Sequence, residues 1–203
     1  MNTHTELSID EILAFEAERI LKDITDFTCL KSVIQGFDTL QKANAISYII
    51  GVFKECYAVG DLEIYVESDG GVLKGYALLF VFHQINSVYL HSLFVKNNYR
   101  GQGIGTKLLN VIKNRGLDAY LLCDYTKNKY YENRGFSFLN MVAPPVGDDF
   151  KVSKYLYHSF SIMTNAKGSN QAPIFYLNDT DLRIISGMND KEFNLLAENQ
   201  DQI

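Results

Sequence analysis

Apolar residues fall at helical spacing in the first third of the chain: Ile9, Ile12, Leu13, Ala17, Ile20, Leu21 and Ile24, with acids and Lys22 between them. Ser8 followed by Glu11 fits a capping box at the start of that helix. A second helix is predicted over residues 39–53, with Leu40, Ala43, Ile46, Ile49 and Ile50 on its buried side. The pattern then changes. Residues 62–67 alternate loosely and residues 72–82 are strongly β-prone, with Asp69-Gly70-Gly71 between them as a tight hairpin turn. Asn86-Ser87 marks a second turn before a third strand over 88–95, so a meander of three antiparallel strands is expected.

Beyond it, Arg100-Gly101-Gln102-Gly103-Ile104-Gly105 leads into a helical pattern through Leu108, Leu109, Val111 and Ile112. A buried strand follows at 119–123, then a short polar helix at 126–134 ended by Gly135, and a strand at 136–141. Further strands are expected at 154–163 and 174–177, a polar loop at 166–171, and a closing helix at 190–198. With no internal repeat and no low-complexity linker, the chain reads as one domain, with N-terminal helices (1–56), a central core (57–163) and a C-terminal extension (164–203).

The 203 residues are 47% hydrophobic and 21% charged, which suits a globular chain with a real core and excludes wholesale disorder. No apolar run is long enough to cross a bilayer, and no basic start followed by an apolar stretch marks a secretory signal. Three scattered cysteines, Cys29, Cys56 and Cys123, suggest a reducing compartment without a disulfide framework or a metal site. A cytoplasmic protein is expected. The net charge of −5 disfavours a general nucleic-acid binder, yet it conceals an asymmetry. Residues 96–134 hold eight basic side chains against three acidic ones, a balance of +5 that leaves −10 for the rest. A basic island in an acidic chain suits a local anionic ligand.

Three glycines at a helix start leave backbone amides open to an anion, at the positive end of the helix dipole. The nucleotide P-loop spacing fails, because Thr106 and Leu108 stand where its second glycine is required. The dinucleotide fingerprint also fails, because Thr106 replaces its third glycine and the loop follows an antiparallel meander.

The stretch from Leu90 through Val95 to Tyr99-Arg100-Gly101-Gln102-Gly103-Ile104-Gly105 instead resembles the GNAT superfamily of N-acetyltransferases, whose loop reads Gln/Arg-x-x-Gly-x-Gly/Ala. Tyr130-Tyr131-Glu132-Asn133-Arg134-Gly135-Phe136 resembles the family's Phe/Leu-Tyr-x-x-x-Gly-Phe segment, with Tyr130 in place of Phe or Leu. The resemblance covers roughly residues 57–163. It implies an α+β fold with α/β/α layers, and a mixed central sheet whose strands splay at the acetyl-CoA site.

On that resemblance, the amides of Gln102 to Thr106 hold the diphosphate of acetyl-CoA, and Leu93, Phe94 and Val95 line the gap beside the strand at 119–123. Arg100, Gly101, Gly103, Ile104 and Gly105 complete the cofactor loop, with Arg100 and Lys107 near the phosphates. Tyr131 corresponds to the family's general acid, and it also contacts the cofactor. His91 stands where some members place a glutamate base; His83, Glu63 and Glu67 are weaker candidates. No metal is implied. The expected activity is direct transfer of acetyl to a primary amine on a small molecule, a peptide N-terminus or a protein lysine. The alternatives are a toxin-type enzyme acting on aminoacyl-tRNA, which the acidic remainder disfavours, and a non-catalytic CoA-binding module. Family members are often homodimers. The family's usual first strand is not recognisable before Ser8; the segment at 174–177 is a candidate replacement.

Overall fold

The computed structural model describes residues 9–168 and 172–200, so Ser8 of the expected capping box and residues 169–171 of the expected loop lie outside the described residues. The chain divides into two compact units that interleave in sequence. One comprises residues 55–142 and 159–175 with the start of the first helix; the other comprises 13–54, 143–158 and 176–200.

The first unit is built on a sheet. Among the described residues, six strands run β1 (Leu62–Asp69), β2 (Val72–Phe82), β3 (Ser87–Val95), β4 (Asp118–Asp124), β5 (Ser137–Met141) and β6 (Phe160–Thr164), in the spatial order β1-β2-β3-β4-β6-β5. All neighbours are antiparallel except β3 and β4, which are parallel. The expected meander is β1-β2-β3, and Gly70 and Gly71 supply the positive φ angles of its first turn. β2 is buried on both faces, which explains its unbroken apolar run. One face carries Ala77, Leu79 and Val81 into the core with Val88 and Leu90 of β3 and Ala119 and Leu121 of β4.

The helix α4 (Ile104–Lys113) contributes Ile104, Leu108, Leu109 and Ile112 to that core, while Val111 is exposed. It connects β3 to the parallel strand β4. The short helix α5 (Asn128–Glu132) leads to Phe136, also in the core, and to β5.

The second unit holds most of α1 (Ile9–Phe27) with α2 (Lys31–Gln35) and most of α3 (Thr39–Val59), then α6 (Asp179–Ser186) and α7 (Asp190–Gln200). α1 buries the stripe that the spacing predicts, from Ile12 to Ile24. In α3 the buried residues are Ala45, Ile49 and Phe53, whereas Leu40 and Ala43 are exposed, so the buried stripe starts a turn later than expected.

Two expected strands differ. Over 154–163, residues Ser153–Tyr157 form a 3-10 helix and only Phe160–Thr164 is extended. The buried Asp179 carboxylate accepts the amides of Lys151, Val152 and Ser153 at 2.7–3.2 Å, which turns the chain there, and Ser159 adopts φ +64° before β6. Over 174–177 there is no strand. Tyr157 Oη accepts the Leu177 amide at 2.7 Å, and Asn178 and Asp181 form the capping box that starts α6. Among the described residues no helix is long and apolar enough to cross a membrane.

Candidate active site

β3 and β4 pair only from Ser87↔Asp118 to Leu90↔Leu121, although β3 continues to Val95 and β4 to Asp124. Each strand is committed elsewhere beyond that point. β3 stays with β2 as far as Gly75↔Val95, and β4 stays with β6 as far as Asp124↔Phe160. The two therefore part. On β3 the parting coincides with a bulge: Leu79 faces Leu90 and Leu78 faces Ser92, so His91 has no opposite residue on β2.

A cleft of about 540 Å³ opens beside the far end of β3. Leu93, Phe94 and Val95 line it, together with the turn from Tyr99 to Thr106 and residues Lys127, Tyr130, Tyr131 and Arg134 around α5. Gln102 does not line it; its side chain donates to Asn98 O at 3.2 Å. The other positions expected in the cofactor loop all do.

Gly103 caps α4 with φ +80°. The first helical bond runs from the Lys107 amide to Gly103 O at 2.9 Å, so the amides of Ile104, Gly105 and Thr106 precede the helix ladder. A Cβ on Gly101 or Gly103 would meet no protein atom within 4 Å. Positive φ, and not crowding, requires glycine at both, and the space beside them is open to a ligand. Gly105 differs: a Cβ there would stand 2.5 Å from the hydroxyl of Tyr130.

The charged side chains lining the cleft are Arg100, Lys127 and Arg134, with no carboxylate among them. Arg100 Nε donates to Val95 O at 3.1 Å. Lys107, expected near the phosphates, is paired with Glu67 at 2.6 Å and does not line the cleft. Lys113 donates to Arg134 O at 2.9 Å. The basic island thus divides between the cleft and the bracing of α4.

Tyr131 is partly buried, edge-on to Tyr130 at 5.1 Å and to Phe136 at 6.0 Å between centroids. Burial, reinforced by the nearby Cys123 and Tyr130, pushes its phenol well above the ordinary value. It is protonated at neutral pH. Cys123 stands one residue before the end of β4, and burial pushes its thiol up to about 11. The Arg134 guanidinium lies 3.6 Å from the centre of the Tyr130 ring and donates to Thr106 Oγ1 at 3.0 Å and to Tyr130 O at 2.7 Å.

His91 does not line the cleft. It sits among Phe80, Tyr89 and Phe175, edge-on with centroids 5.6, 6.0 and 6.4 Å away. The alternative bases are engaged. Glu63 is paired with Arg115 and accepts from Tyr65 Oη, Glu67 is paired with Lys107, and His83 Nε2 lies 3.2 Å from Gly60 O. The sequence pattern missed the roles of Tyr99, Lys127, Tyr130 and Arg134 as cleft residues; for Tyr130 and Arg134, their place in the Tyr-Tyr-x-x-x-Gly segment was the available signal.

Comparison with known proteins matches residues 60–138 to the family model described as an acetyltransferase (GNAT) domain. Among curated proteins, the chain is 26% identical over 118 residues to thialysine N-epsilon-acetyltransferase of Mus musculus, covering 55% of this chain and 68% of that enzyme. The enzyme of the same name from Sus scrofa is 24% identical, with 49% of this chain matched to 59% of its length. Among solved structures, the PaiA N-acetyltransferase of Thermoplasma acidophilum in complex with coenzyme A is 16% identical, covers 76% of this chain and 94% of its own, and has a TM-score of 0.38. The two sequence motifs, the parallel β3-α4-β4 crossover and the family match fall on the same stretch of chain: residues 60–138 match the model of the GNAT acetyltransferase domain.

Proposed function

We propose that this protein transfers an acetyl group from acetyl-CoA directly to a primary amine. The observation that carries the reading is the meeting of parted strands with a glycine-turned helix start, in a cleft whose charged lining is wholly cationic. The amides of Gly101 to Thr106 and the Arg100 side chain suit a diphosphate, and the open side of Leu93–Val95 offers main-chain groups to an extended amide-bearing arm. Bound acetyl-CoA supplies an activated acetyl thioester. The thialysine enzymes among the relatives support an aliphatic primary amine as the acceptor class. Three free cysteines favour work in the reducing cytoplasm.

An alkylammonium of pKa near 10.4 is neutral in only about one molecule in 2,500 at pH 7, so a base must take its proton before nitrogen attacks. His91 is our candidate: it is the first β3 residue past the last β3–β4 pair, and an imidazole titrates near neutrality. As the C–N bond forms and the C–S bond breaks, Tyr131 hands its proton to sulfur. Its buried phenol keeps that proton until then.

A transfer screen over thialysine, lysine, polyamines, peptides and charged tRNA tests the activity. Acetyl-CoA at a hundred times its Kd should stabilise the protein by about 2.7 kcal/mol. No thermal shift at millimolar acetyl-CoA overturns the reading. Tyr131→Phe should lower kcat about 10²-fold with the acetyl-CoA KM unchanged. His91→Ala should erase an ionisation near neutrality from the kcat/KM profile. Unaltered turnover, or an unaltered profile, removes the corresponding role.

A further inference from the structure

Arg134 lines the cleft but has no part in the chemistry above, and its contacts run to both helices beside it. Its Nε reaches Thr106 Oγ1 in the first turn of α4, its Nη1 holds the carbonyl of Tyr130 in α5, and its plane covers the Tyr130 ring at 3.6 Å. Tyr130 in turn sets its hydroxyl against Gly105, so closely that a methyl group there would stand 2.5 Å away. From the other end of α4, Lys113 holds the carbonyl of Arg134 at 2.9 Å. The segment carrying Tyr131 is thereby joined to the helix whose first amides open on the cleft.

α5 has five residues, too few to be stiff alone, so its place depends on such contacts. Tyr131 follows Tyr130 directly, and the two rings pack edge-on at 5.1 Å. We infer that Arg134 is a positioning residue: by locking Tyr130 against the first turn of α4, it fixes the Tyr131 hydroxyl relative to the amides that hold the diphosphate. The inference deepens the proposed function and rests on it for the role of Tyr131. A donor acts only within about 2.6–3.2 Å of its acceptor, and a displacement of about 1 Å can cost roughly a hundredfold in rate. Tyrosine at 130 also gives the device its grip, because a Phe or Leu has no hydroxyl to seat on Gly105.

Arg134→Lys separates positioning from simple attraction of an anion. Lysine keeps the charge but loses the planar stack and the paired donors. kcat should fall about tenfold or more, while the acetyl-CoA KM and the Kd of CoA by calorimetry move less than about threefold. A tenfold weaker CoA Kd with kcat retained would make Arg134 a ligand contact and overturn the inference. A second readout needs no turnover. In protein labelled with 3-fluorotyrosine, the resonance absent from Tyr131→Phe belongs to Tyr131, and it should shift in Arg134→Lys. An unmoved resonance overturns the inference even if the enzyme is active. A shifted one upholds the placement of Tyr131 even if no acceptor is found and the proposed function fails.

Discussion

Gly75 lies opposite Val95, and a methyl group on it would stand 2.5 Å from Phe94 O and 3.2 Å from Ile104 Cγ2. The backbone oxygen cannot swing aside as a flexible side chain would, so Gly75→Ala must push β2 from the end of β3. The expected cost is about 1–3 kcal/mol, read as a lower Tm. An unchanged Tm would show that the strands absorb the methyl group. Nothing in the sequence marks Gly75, because its reason is a contact nineteen residues away, at Phe94 O. Gly101 and Gly103 were legible, since their spacing before a helix pattern is local. Gly105 belonged to the same pattern for a different reason, the hydroxyl of Tyr130. His91 shows the opposite limit. Its place in the strand was readable, but the bulge that seats it among three aromatic rings depends on pairing with β2, which periodicity does not encode.

Elements with strong local patterns, such as α1, β2 and α4, formed close to where the sequence predicts them. The failures came where a distant group captured the backbone. Residues 154–157 are β-prone by composition, yet Asp179 draws the amides just before them into a turn. At 174–177, β-prone residues found no strand to pair with among those described; Phe175 stacks flat on Phe80 at 4.0 Å instead. The joining of α4 to α5 belongs to this scale too, and a double-variant cycle tests it without any ligand. Gly105→Ala alone should lower Tm by several degrees through its clash with Tyr130 Oη. In the Tyr130→Phe background, which removes that oxygen and keeps the ring beneath Arg134, the same change should cost little. Strictly additive losses would refute the packing.

At the level of the whole molecule, composition allowed one long domain, but it carried no sign that two compact units would be threaded through each other in sequence. Which segments keep company depends on long-range contacts. Burial leaves a further molecular signature, on the alkaline side. Cys29 and Cys123 are pushed from 9.0 up to about 11, and the phenols of Tyr131 and Tyr157 are also raised, each chiefly by burial. Below pH 9 folded and unfolded chains hold these protons alike. Above it the unfolded thiols ionise first, then its phenols near pH 10, so folding free energy declines from about pH 9 through 11 and beyond. Urea denaturation should give similar stability at pH 7 and 8 and a clear loss by about pH 10.5. A flat profile across that range would contradict the burial of these groups.

The parting of β3 and β4 has one more consequence, for how the molecule keeps company with others. A strand edge with free amides and carbonyls invites pairing by any passing chain, and exposed edges are sites of aggregation. Here the edge is opened inside the sheet, between two strands that pair over four residues and then part. A second polypeptide would have to be admitted between both walls, whereas a slender amide-bearing arm needs room on one. The groups opened there lie within the sheet, whereas its outer edges are β1 and β5. Room for a slender arm and little room for a second strand thus come from the same few residues of β3 and β4.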